Sequence, residues 1–229
     1  MTSRNKLLSC LSKSDFALLE PHLEPVTLGM RKVLEKPNSR ITAAYFPERG
    51  FASVVAKQAN GKEVEVGLIG WEGMTGMPIV LGNHRTPHST YIQAAGDGHC
   101  IGANDLRQAM RSSRSLQDTF LKFVQAFGVQ TSHTAISNAR SKLDQRLARW
   151  LLMAHDRLET DCLPLTDEFL SIMLGVRRAG VTEAVQALEV RRLISRTRGR
   201  INVRDRKGLE RVAAESYGVP EAEYRRLMN

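Results

Sequence analysis

The segment TDEFLSIMLGVRRAGVTEAVQALEVRRLI, residues 166–194, contains two helix-length patterns that meet at a turn around Gly175. Thr166 and the two acidic residues after it are typical of a helix start, because a threonine side chain caps free amides and the helix dipole favours negative charge there. In the second pattern, apolar residues keep the i, i+3, i+4, i+7 spacing of one buried face: Val181, Ala184, Val185 and Leu188. Two short helices around a glycine turn constrain this part of the chain to a helix-turn-helix.

Two arginines, Arg177 and Arg178, stand where the second helix begins, although the helix dipole disfavours positive charge at that position. An anion from outside the protein would satisfy them; the alternative is that they are solvated surface residues. A strongly basic segment follows, because residues 191–207 hold eight Lys or Arg against one Asp, a charge of +7. Within it, LISRTRGRINV predicts a hairpin that turns near Arg198 and Gly199. A helix-turn-helix followed by a basic hairpin is typical of a winged helix-turn-helix, which places its second helix in the major groove of DNA.

Eight side chains of this segment are therefore candidate DNA contacts. An arginine at the start of the second helix matches N7 and O6 of guanine with two hydrogen bonds, and a glutamate can accept from the cytosine amino group. Arginines of the hairpin suit phosphates, which position a protein without reading the sequence. The candidates are Thr166, Arg177, Arg178, Thr182, Glu183, Gln186, Arg198 and Arg200.

Residues 26–103 have a different residue pattern, in which short apolar runs alternate with turn-forming residues. Runs such as AAYF, FASVVA, EVEVGLI and STYIQAA have the length of β-strands, and residues 60–62, NGK, form a favourable hairpin turn. Strands at this regular spacing predict an antiparallel sandwich or barrel. A short amphipathic helix is expected before them, over residues 12–23.

Helical periodicity dominates the rest of the chain. A long helix is expected over residues 113–140, with one apolar stripe spaced 4, 3 and 4: Leu116, Phe120, Phe123 and Phe127. Such a stripe suits a second copy of the same helix, so we interpret it as a dimer seam. The alternative is a helix that lies on its own sandwich. A second helix is expected from about residue 143 to 158, and a polar helical tail follows the basic hairpin.

The composition narrows the classes of function. The net charge of +9 favours a polyanionic partner, although many enzymes are also basic. Three widely separated cysteines do not form a disulfide framework, and neither a signal-peptide core nor an apolar run of about 20 residues is present. We therefore expect a cytoplasmic protein that does not enter a membrane. No metal-ligand cluster, phosphate loop or nucleophile elbow is found, so we expect no metal, no catalytic residue and no enzyme activity.

The order of these elements resembles the Crp/Fnr family of bacterial transcription regulators. The most specific part is LGVRRAGVTEAVQALE, which matches the family's recognition-helix pattern without gaps and sets Arg178 on its base-reading arginine. Ala179 and Glu183 stand where the family usually has glutamate and arginine, so its usual target sequence does not carry over. The resemblance implies an α+β fold of three parts: a cyclic-nucleotide-binding-like antiparallel β-roll over residues 1–112, a dimerisation helix over 113–140, and a winged helix-turn-helix with a C-terminal tail over 141–229.

The resemblance also locates an effector pocket in the β-roll. Cyclic-nucleotide-binding members hold the ribose with a Gly-Glu pair and the cyclic phosphate with an Arg-Ser or Arg-Thr pair. Here Gly73 and Met74 stand at the first place, and Arg85 and Thr86 stand near the second. Methionine cannot accept a hydrogen bond from a ribose hydroxyl as a carboxylate does, and Glu72 would face the other side of a strand. We therefore expect no bound cofactor, an effector of unknown identity, and no tight binding of cyclic AMP.

The family mechanism implies a homodimer that binds double-stranded DNA, contacts RNA polymerase and changes the spacing of its two recognition helices in response to an effector. Two alternatives stay open. A cyclic-nucleotide-binding regulatory subunit that controls a partner enzyme would share the β-roll but would not need the helix-turn-helix. An enzyme on a cupin-like β-roll would need clustered histidine ligands, and the six histidines here are scattered.

Overall fold

The computed structural model describes residues 3–228. Within them, the N-terminal half contains four α-helices and seven strands: α1 Lys6–Ser9, α2 Lys13–Leu19, β1 Glu24–Leu28, β2 Val33–Glu35, β3 Ala43–Pro47, β4 Phe51–Lys57, β5 Glu63–Ile69, α3 Met77–Val80, β6 Ser89–Ala94, β7 Gly96–Gly102 and α4 Ala103–Ser112. The C-terminal half follows: α5 Arg114–Arg140, α6 Leu143–Leu158, β8 Cys162–Leu163, α7 Asp167–Leu174, α8 Arg178–Val190, β9 Ile194–Thr197, β10 Arg200–Val203, α9 Arg206–Ala213 and α10 Val219–Met228.

The seven N-terminal strands form two antiparallel sheets, in the orders β1-β7-β3 and β2-β6-β4-β5. Burial alternates along β6, because successive side chains of a strand point to opposite faces of the sheet. The predicted turn joins β4 to β5: Gly61 has a φ of +85°, and the Asn60 side chain accepts a hydrogen bond from the Lys62 amide. The predicted antiparallel sandwich is therefore confirmed. β1 and β2 add to the predicted strands; both are largely exposed and lack an apolar run.

α5 covers this β-roll with the apolar stripe that the sequence suggests for a dimer seam. Leu116 and Phe120 are fully buried and Phe123 is nearly so, all within the hydrophobic core of the β-roll. The ring centroids of Phe120 and Phe46 of β3 are 6.1 Å apart. Interpreting this stripe as a dimer seam is therefore wrong for these residues, which lie on their own sandwich. The amphipathic pattern marks a buried face but does not say which surface buries it.

The C-terminal half forms the predicted winged helix-turn-helix. Thr166 caps α7 by accepting a hydrogen bond from the Phe169 amide at 3.3 Å, and Gly175 ends the helix with a φ of +63°. β9 and β10 form the predicted hairpin, which turns at Gly199 with a φ of +71°, and β8 completes a three-stranded sheet. We call residues 194–203 the wing.

One hydrophobic core joins the β-roll to the winged helix. Phe51 and Leu68 of the β-roll are buried in the same cluster as Leu151 of α6. Trp150 lies at this contact, with its ring centroid 6.3 Å from that of Phe51 and 5.4 Å from that of Phe169 in α7. The two halves of the chain are thus packed against each other rather than connected by α5 alone.

The tail returns to the N-terminal half. α10 packs along α5, and Met228 is buried in the core of the β-roll. The Tyr224 hydroxyl donates a hydrogen bond to the backbone carbonyl of Glu72 at 2.6 Å, across 152 positions of the chain. The tail therefore ties the winged helix to the β-roll a second time, which the helical periodicity of the tail does not predict.

Candidate nucleic-acid interface

α8 turns its apolar side to the protein and its polar side to solvent. The four residues predicted to be buried are at most 5% exposed: Val181, Ala184, Val185 and Leu188. The candidate DNA contacts at the start of α8 and along it lie outside this buried face and are exposed: Arg177, Arg178, Thr182, Glu183 and Gln186. This polar side of α8 is consequently open to an external partner.

The wing lies beside the start of α8. Thr166, Arg178 and Arg198 line one open groove between α7, α8 and the wing. Arg200 is exposed on β10, with one guanidinium nitrogen 4.0 Å from the Cys162 sulfur. The structure thus brings the first turn of α8 and the wing arginines to one surface, while Glu183 and Gln186 lie further along the same helix.

Two acidic residues, which the sequence suggested only as a helix start, neutralise part of this surface. Glu168 Oε1 lies 3.0 Å from Arg178 Nη2. Asp167 Oδ2 lies 2.8 Å from Arg196 Nη2 and accepts a hydrogen bond from the Thr182 hydroxyl at 3.3 Å. Exposed ion pairs of this kind contribute about 0–1 kcal/mol, so a DNA base or phosphate can replace the carboxylates at little cost. These contacts span 10 positions or more, and only the adjacent acidic pair in the sequence hinted at them.

The four residues predicted for an effector pocket do not form one open site. Met74 is fully buried in the core, and Phe123 covers Gly73, since a Cβ built on Gly73 would lie 2.2 Å from the Phe123 ring. Thr86 is buried, with its hydroxyl accepting a backbone hydrogen bond, whereas Arg85 is exposed. The Phe123 ring of α5 therefore occupies the space beside Gly73 where a ligand would have to approach the backbone.

Two carboxylates near these positions are already bound by the chain. Glu35 is buried and accepts hydrogen bonds from the Gly76 amide at 2.6 Å and from the Thr90 hydroxyl at 2.9 Å; burial nevertheless raises its pKa. Glu72 lies in the turn after β5 rather than on a strand, and its Oε1 is 2.6 Å from Arg157 Nη2 of α6. Glu72 thus faces the winged helix instead of the interior of the β-roll.

A third carboxylate lies at the contact between the two halves. Glu65 of β5 is buried and accepts hydrogen bonds from the Ser53 hydroxyl and from Trp150 Nε1, each at 2.6 Å. Burial raises the pKa of Glu65 to about 7, because the loss of hydration outweighs these hydrogen bonds and the nearby charges of Arg157 and Arg149. This contact therefore contains a group that changes its charge near neutral pH.

Within residues 3–228, no group of three or more His, Cys, Asp or Glu side chains is placed to hold a metal ion. No helix in that range has the length and apolar character needed to cross a bilayer.

Comparisons with known proteins agree with this geometry. Residues 145–212 match the family model of the Crp-like helix-turn-helix domain. A solved structure of a crp/fnr family protein from Eubacterium rectale is 18% identical and covers 93% of this chain and 99% of its own, with a TM-score of 0.72. The c-di-GMP responsive global regulator CLP from Xanthomonas campestris is 15% identical over 84% of this chain and 99% of its own, with a TM-score of 0.68. FixK2 from Bradyrhizobium japonicum is 12% identical over 84% and 98%, with a TM-score of 0.72. Among curated protein sequences no significant match is found.

The chain consists of a β-roll, a long helix and a winged helix-turn-helix domain, in this order. That domain is Crp-like over residues 145–212, and the chain as a whole has the fold of the Crp/Fnr-type transcriptional regulators. The resemblance found in the sequence is thereby confirmed.

Proposed function

We propose that this chain regulates transcription by binding specific DNA sequences as a homodimer, with the β-roll over residues 1–112 as its sensory part. The observation that carries the proposal is the exposed polar side of α8 beside the basic segment 191–207, which carries a charge of +7 and contains the wing. A recognition helix reads base edges with its first residues, and basic side chains beside it neutralise phosphates. Both requirements are met on one surface. A DNA-binding regulator of this kind would act in the cytoplasm, where it meets RNA polymerase.

In this proposal some residues contact base edges and others contact the phosphate backbone. Arg178 contacts a base edge, most favourably guanine, once it leaves Glu168, and Thr182, Glu183 and Gln186 are the further readers along α8. Arg198 and Arg200 of the wing contact phosphates. Thr166 and Arg177 lie at the first turns of α7 and α8, where helix starts commonly contact the DNA backbone.

The homodimer would use the side of α5 that faces away from the β-roll. Along this side the chain presents four residues at helical spacing, which we call the outer face: Gln125, Val129, Ser132 and Ile136. Ile136 is a large aliphatic residue that is 55% exposed in the single chain. Pairing two outer faces would bury it and would place the two recognition helices about a two-fold axis.

An effector would act by changing how the winged helix packs on the β-roll. The shared core, the Glu65–Trp150 hydrogen bond and the Glu72–Arg157 ion pair all cross that contact. A ligand can shift such an arrangement only if it binds one packing better than another. The filled space beside Gly73 and Met74 supports the proposal that cyclic AMP is not this ligand.

Gel shifts with a pool of random duplexes test the proposal. The protein should retard the pool at low salt, because basic contacts to phosphates give sequence-independent binding. A variant that lacks three interface arginines, Arg178→Ala/Arg198→Ala/Arg200→Ala, should lose most of this shift. The matched control removes three arginines near α4, Arg107→Ala/Arg111→Ala/Arg114→Ala, and should keep it. Absence of any shift for the unchanged protein would overturn the proposal and favour a regulatory subunit for a partner enzyme.

A further inference from the structure

A cavity of about 340 Å³ lies where the β-roll, α5, the winged helix and the tail meet. Trp71 lines it from the turn after β5, Phe123 and Phe127 line it from α5, Arg157 lines it from α6, and Tyr224 lines it from α10. Cavities of about 300–1,000 Å³ at the boundary between domains are the common location of small-molecule sites. We call this space the junction cavity; of the described residues that line it, none is among the four predicted for the effector pocket.

Most polar groups in the wall of the junction cavity already have partners. Arg157 is bound by Glu72, with Nη2 and Oε1 2.6 Å apart. Asp156 binds Arg206 Nη2 at 2.7 Å and accepts a hydrogen bond from the Tyr217 hydroxyl, also at 2.7 Å. We call the Glu72–Arg157 pair and the Asp156–Arg206–Tyr217 group the closed groups, because their polar atoms already have partners within the protein. They need no ligand, and they hold the wall in place.

Two cations of the wall differ from these. Lys6 and Arg225 have no ion-pair partner among residues 3–228, and Lys6 Nζ lies 5.8 Å from the centre of the Tyr224 ring. One further carboxylate, Glu221, lines the cavity and accepts a hydrogen bond from the Gly218 amide at 2.8 Å. The side chains outside the closed groups therefore carry a charge of +1, which favours one anionic group on a ligand.

The remaining wall favours a flat ring. Trp71, Phe123, Phe127 and Tyr224 contribute aromatic side chains, and the Tyr224 hydroxyl is taken by the Glu72 carbonyl. Aromatic side chains stabilise a bound ring beyond its area alone, through stacked or edge-on contacts. A ligand with one or two rings fits the volume.

We infer that the junction cavity binds a small aromatic carboxylate, with its ring against the aromatic wall and its carboxylate near Lys6 and Arg225. The regulatory consequence rests on the proposed function. Because such a ligand touches the β-roll, α5 and the tail together, its binding favours the packed arrangement of this structure and is thereby coupled to DNA binding.

Titration calorimetry tests the inference with four probes: benzoate, phenylacetate, 1-naphthoate and indole-3-acetate, each beside its neutral amide. At least one acid should bind with a dissociation constant of about 0.1 mM or below, which is ordinary for a ligand of this size. The amide of that acid should bind at least about tenfold more weakly, because it lacks the negative charge that Lys6 and Arg225, which we call the rim cations, attract. A dissociation constant above about 0.1 mM for every acid, or equal binding of acid and amide, would overturn the inference.

Neighbouring arginines on α10 supply a matched pair of variants. Lys6→Gln/Arg225→Gln should weaken the acid about tenfold or more, since it removes both rim cations. Arg226→Gln is the control, because Arg226 is exposed, does not line the junction cavity and is paired with Glu223 at 2.7 Å. Unchanged affinity in the double variant would also overturn the inference.

Gel shifts on the same samples separate the two proposals. Acid binding without any DNA binding would leave the junction cavity as a ligand site and reject the proposed function. DNA binding without acid binding would do the reverse. When both occur, the acid should change the affinity for DNA in the unchanged protein and leave it unchanged in the double variant.

Discussion

The Glu65 carboxyl, which links the β-roll to α6 through its hydrogen bond with Trp150, has a raised pKa. A carboxyl whose pKa is higher in the folded chain than its ordinary value of 4.5 holds its proton more tightly when folded. Its stabilising effect is therefore full below about pH 4.5 and is lost as the pH rises through about 7. One pKa unit corresponds to about 1.4 kcal/mol, so the loss amounts to roughly 3 kcal/mol over this window.

The substitution Glu65→Gln should remove this pH dependence. Glutamine can still accept from Trp150 and donate to Ser53, but it has no charge to desolvate. The variant should match the unchanged protein in free energy of unfolding near pH 4.5 and exceed it by roughly 3 kcal/mol at pH 8, as measured by urea unfolding. Glu63→Gln on the same strand is the control, since Glu63 is only partly buried. Parallel profiles for Glu65→Gln and the unchanged protein would mean that the carboxyl titrates at its ordinary pKa.

Met74 and the Phe123 ring both disfavour the binding of cyclic AMP. Met74 offers no carboxylate to a ribose, and the ring of Phe123 fills the approach to Gly73. Calorimetry with cyclic AMP should therefore show no binding with a dissociation constant in the micromolar range or below. Tight binding would show that α5 moves away from the β-roll and opens the predicted pocket.

Arg178 and Arg200 should behave differently when each is removed. Arg178→Ala should cost about 1–3 kcal/mol on the preferred DNA site and relax the preference at one position of each half-site, because it deletes the proposed base contact. Arg200→Ala should weaken all sequences alike and make the dependence on salt shallower by roughly 2 per dimer, because it deletes the proposed phosphate contacts. Fluorescence anisotropy over a range of salt concentrations measures both effects.

The opposite assignment has its own signature. If Arg178→Ala weakens specific and non-specific DNA equally, Arg178 is a phosphate contact. The reading role then moves to Thr182, Glu183 and Gln186, which are also exposed on α8. Glu183 would be examined next, because a carboxylate is repelled by the phosphate backbone unless it accepts a hydrogen bond from a base.

Among the elements, α5 has two faces with separate tasks. Its inner stripe completes the β-roll core, while Ile136 at the end of the outer face remains exposed in the single chain. Phe123→Glu would place a carboxylate in that core and should lower the stability of the chain itself. A test of dimerisation therefore has to change the outer face.

Ile136→Glu should convert the proposed dimer to monomer. Two glutamates would face each other across the two-fold axis without partners, at a cost of about 2 kcal/mol or more. Sedimentation equilibrium gives the mass directly. Val190→Glu is the control, because Val190 is also an exposed aliphatic residue, 77% accessible, but lies at the end of α8. A dimer that persists in Ile136→Glu would assign the interface to another surface.

The elements that the sequence predicts well are those with local signals. The buried face of α8 follows from helical spacing, and the caps at Thr166 and Gly175 follow from residue chemistry. Other features depend on which surfaces meet in three dimensions. The inner stripe of α5 has the same pattern whether it meets a second helix or its own β-roll, and the pairing of Glu168 with Arg178 joins two helices. Periodicity alone contains no information on either choice.

At the scale of the whole molecule, the β-roll and the winged helix are held together by three kinds of contact. The two parts share one hydrophobic core, and the Glu72–Arg157 ion pair connects them. In addition, α10 returns from the winged helix to α5 and the β-roll. Packing of this extent would make the position of α8, the proposed recognition helix, depend on the arrangement of the β-roll. Regulation in this chain would accordingly pass through the contact between the halves as well as along α5.

Selection of bound duplexes from a random pool, followed by sequencing, tests most directly whether a two-fold dimer reads DNA with α8. The selected duplexes should contain an inverted repeat, because the two protomers read the same half-site in opposite directions. The half-site centres should lie about 34 Å apart, one turn of duplex, or a multiple of that distance. Selection that yields no common sequence, or a single unrepeated site, would contradict the account.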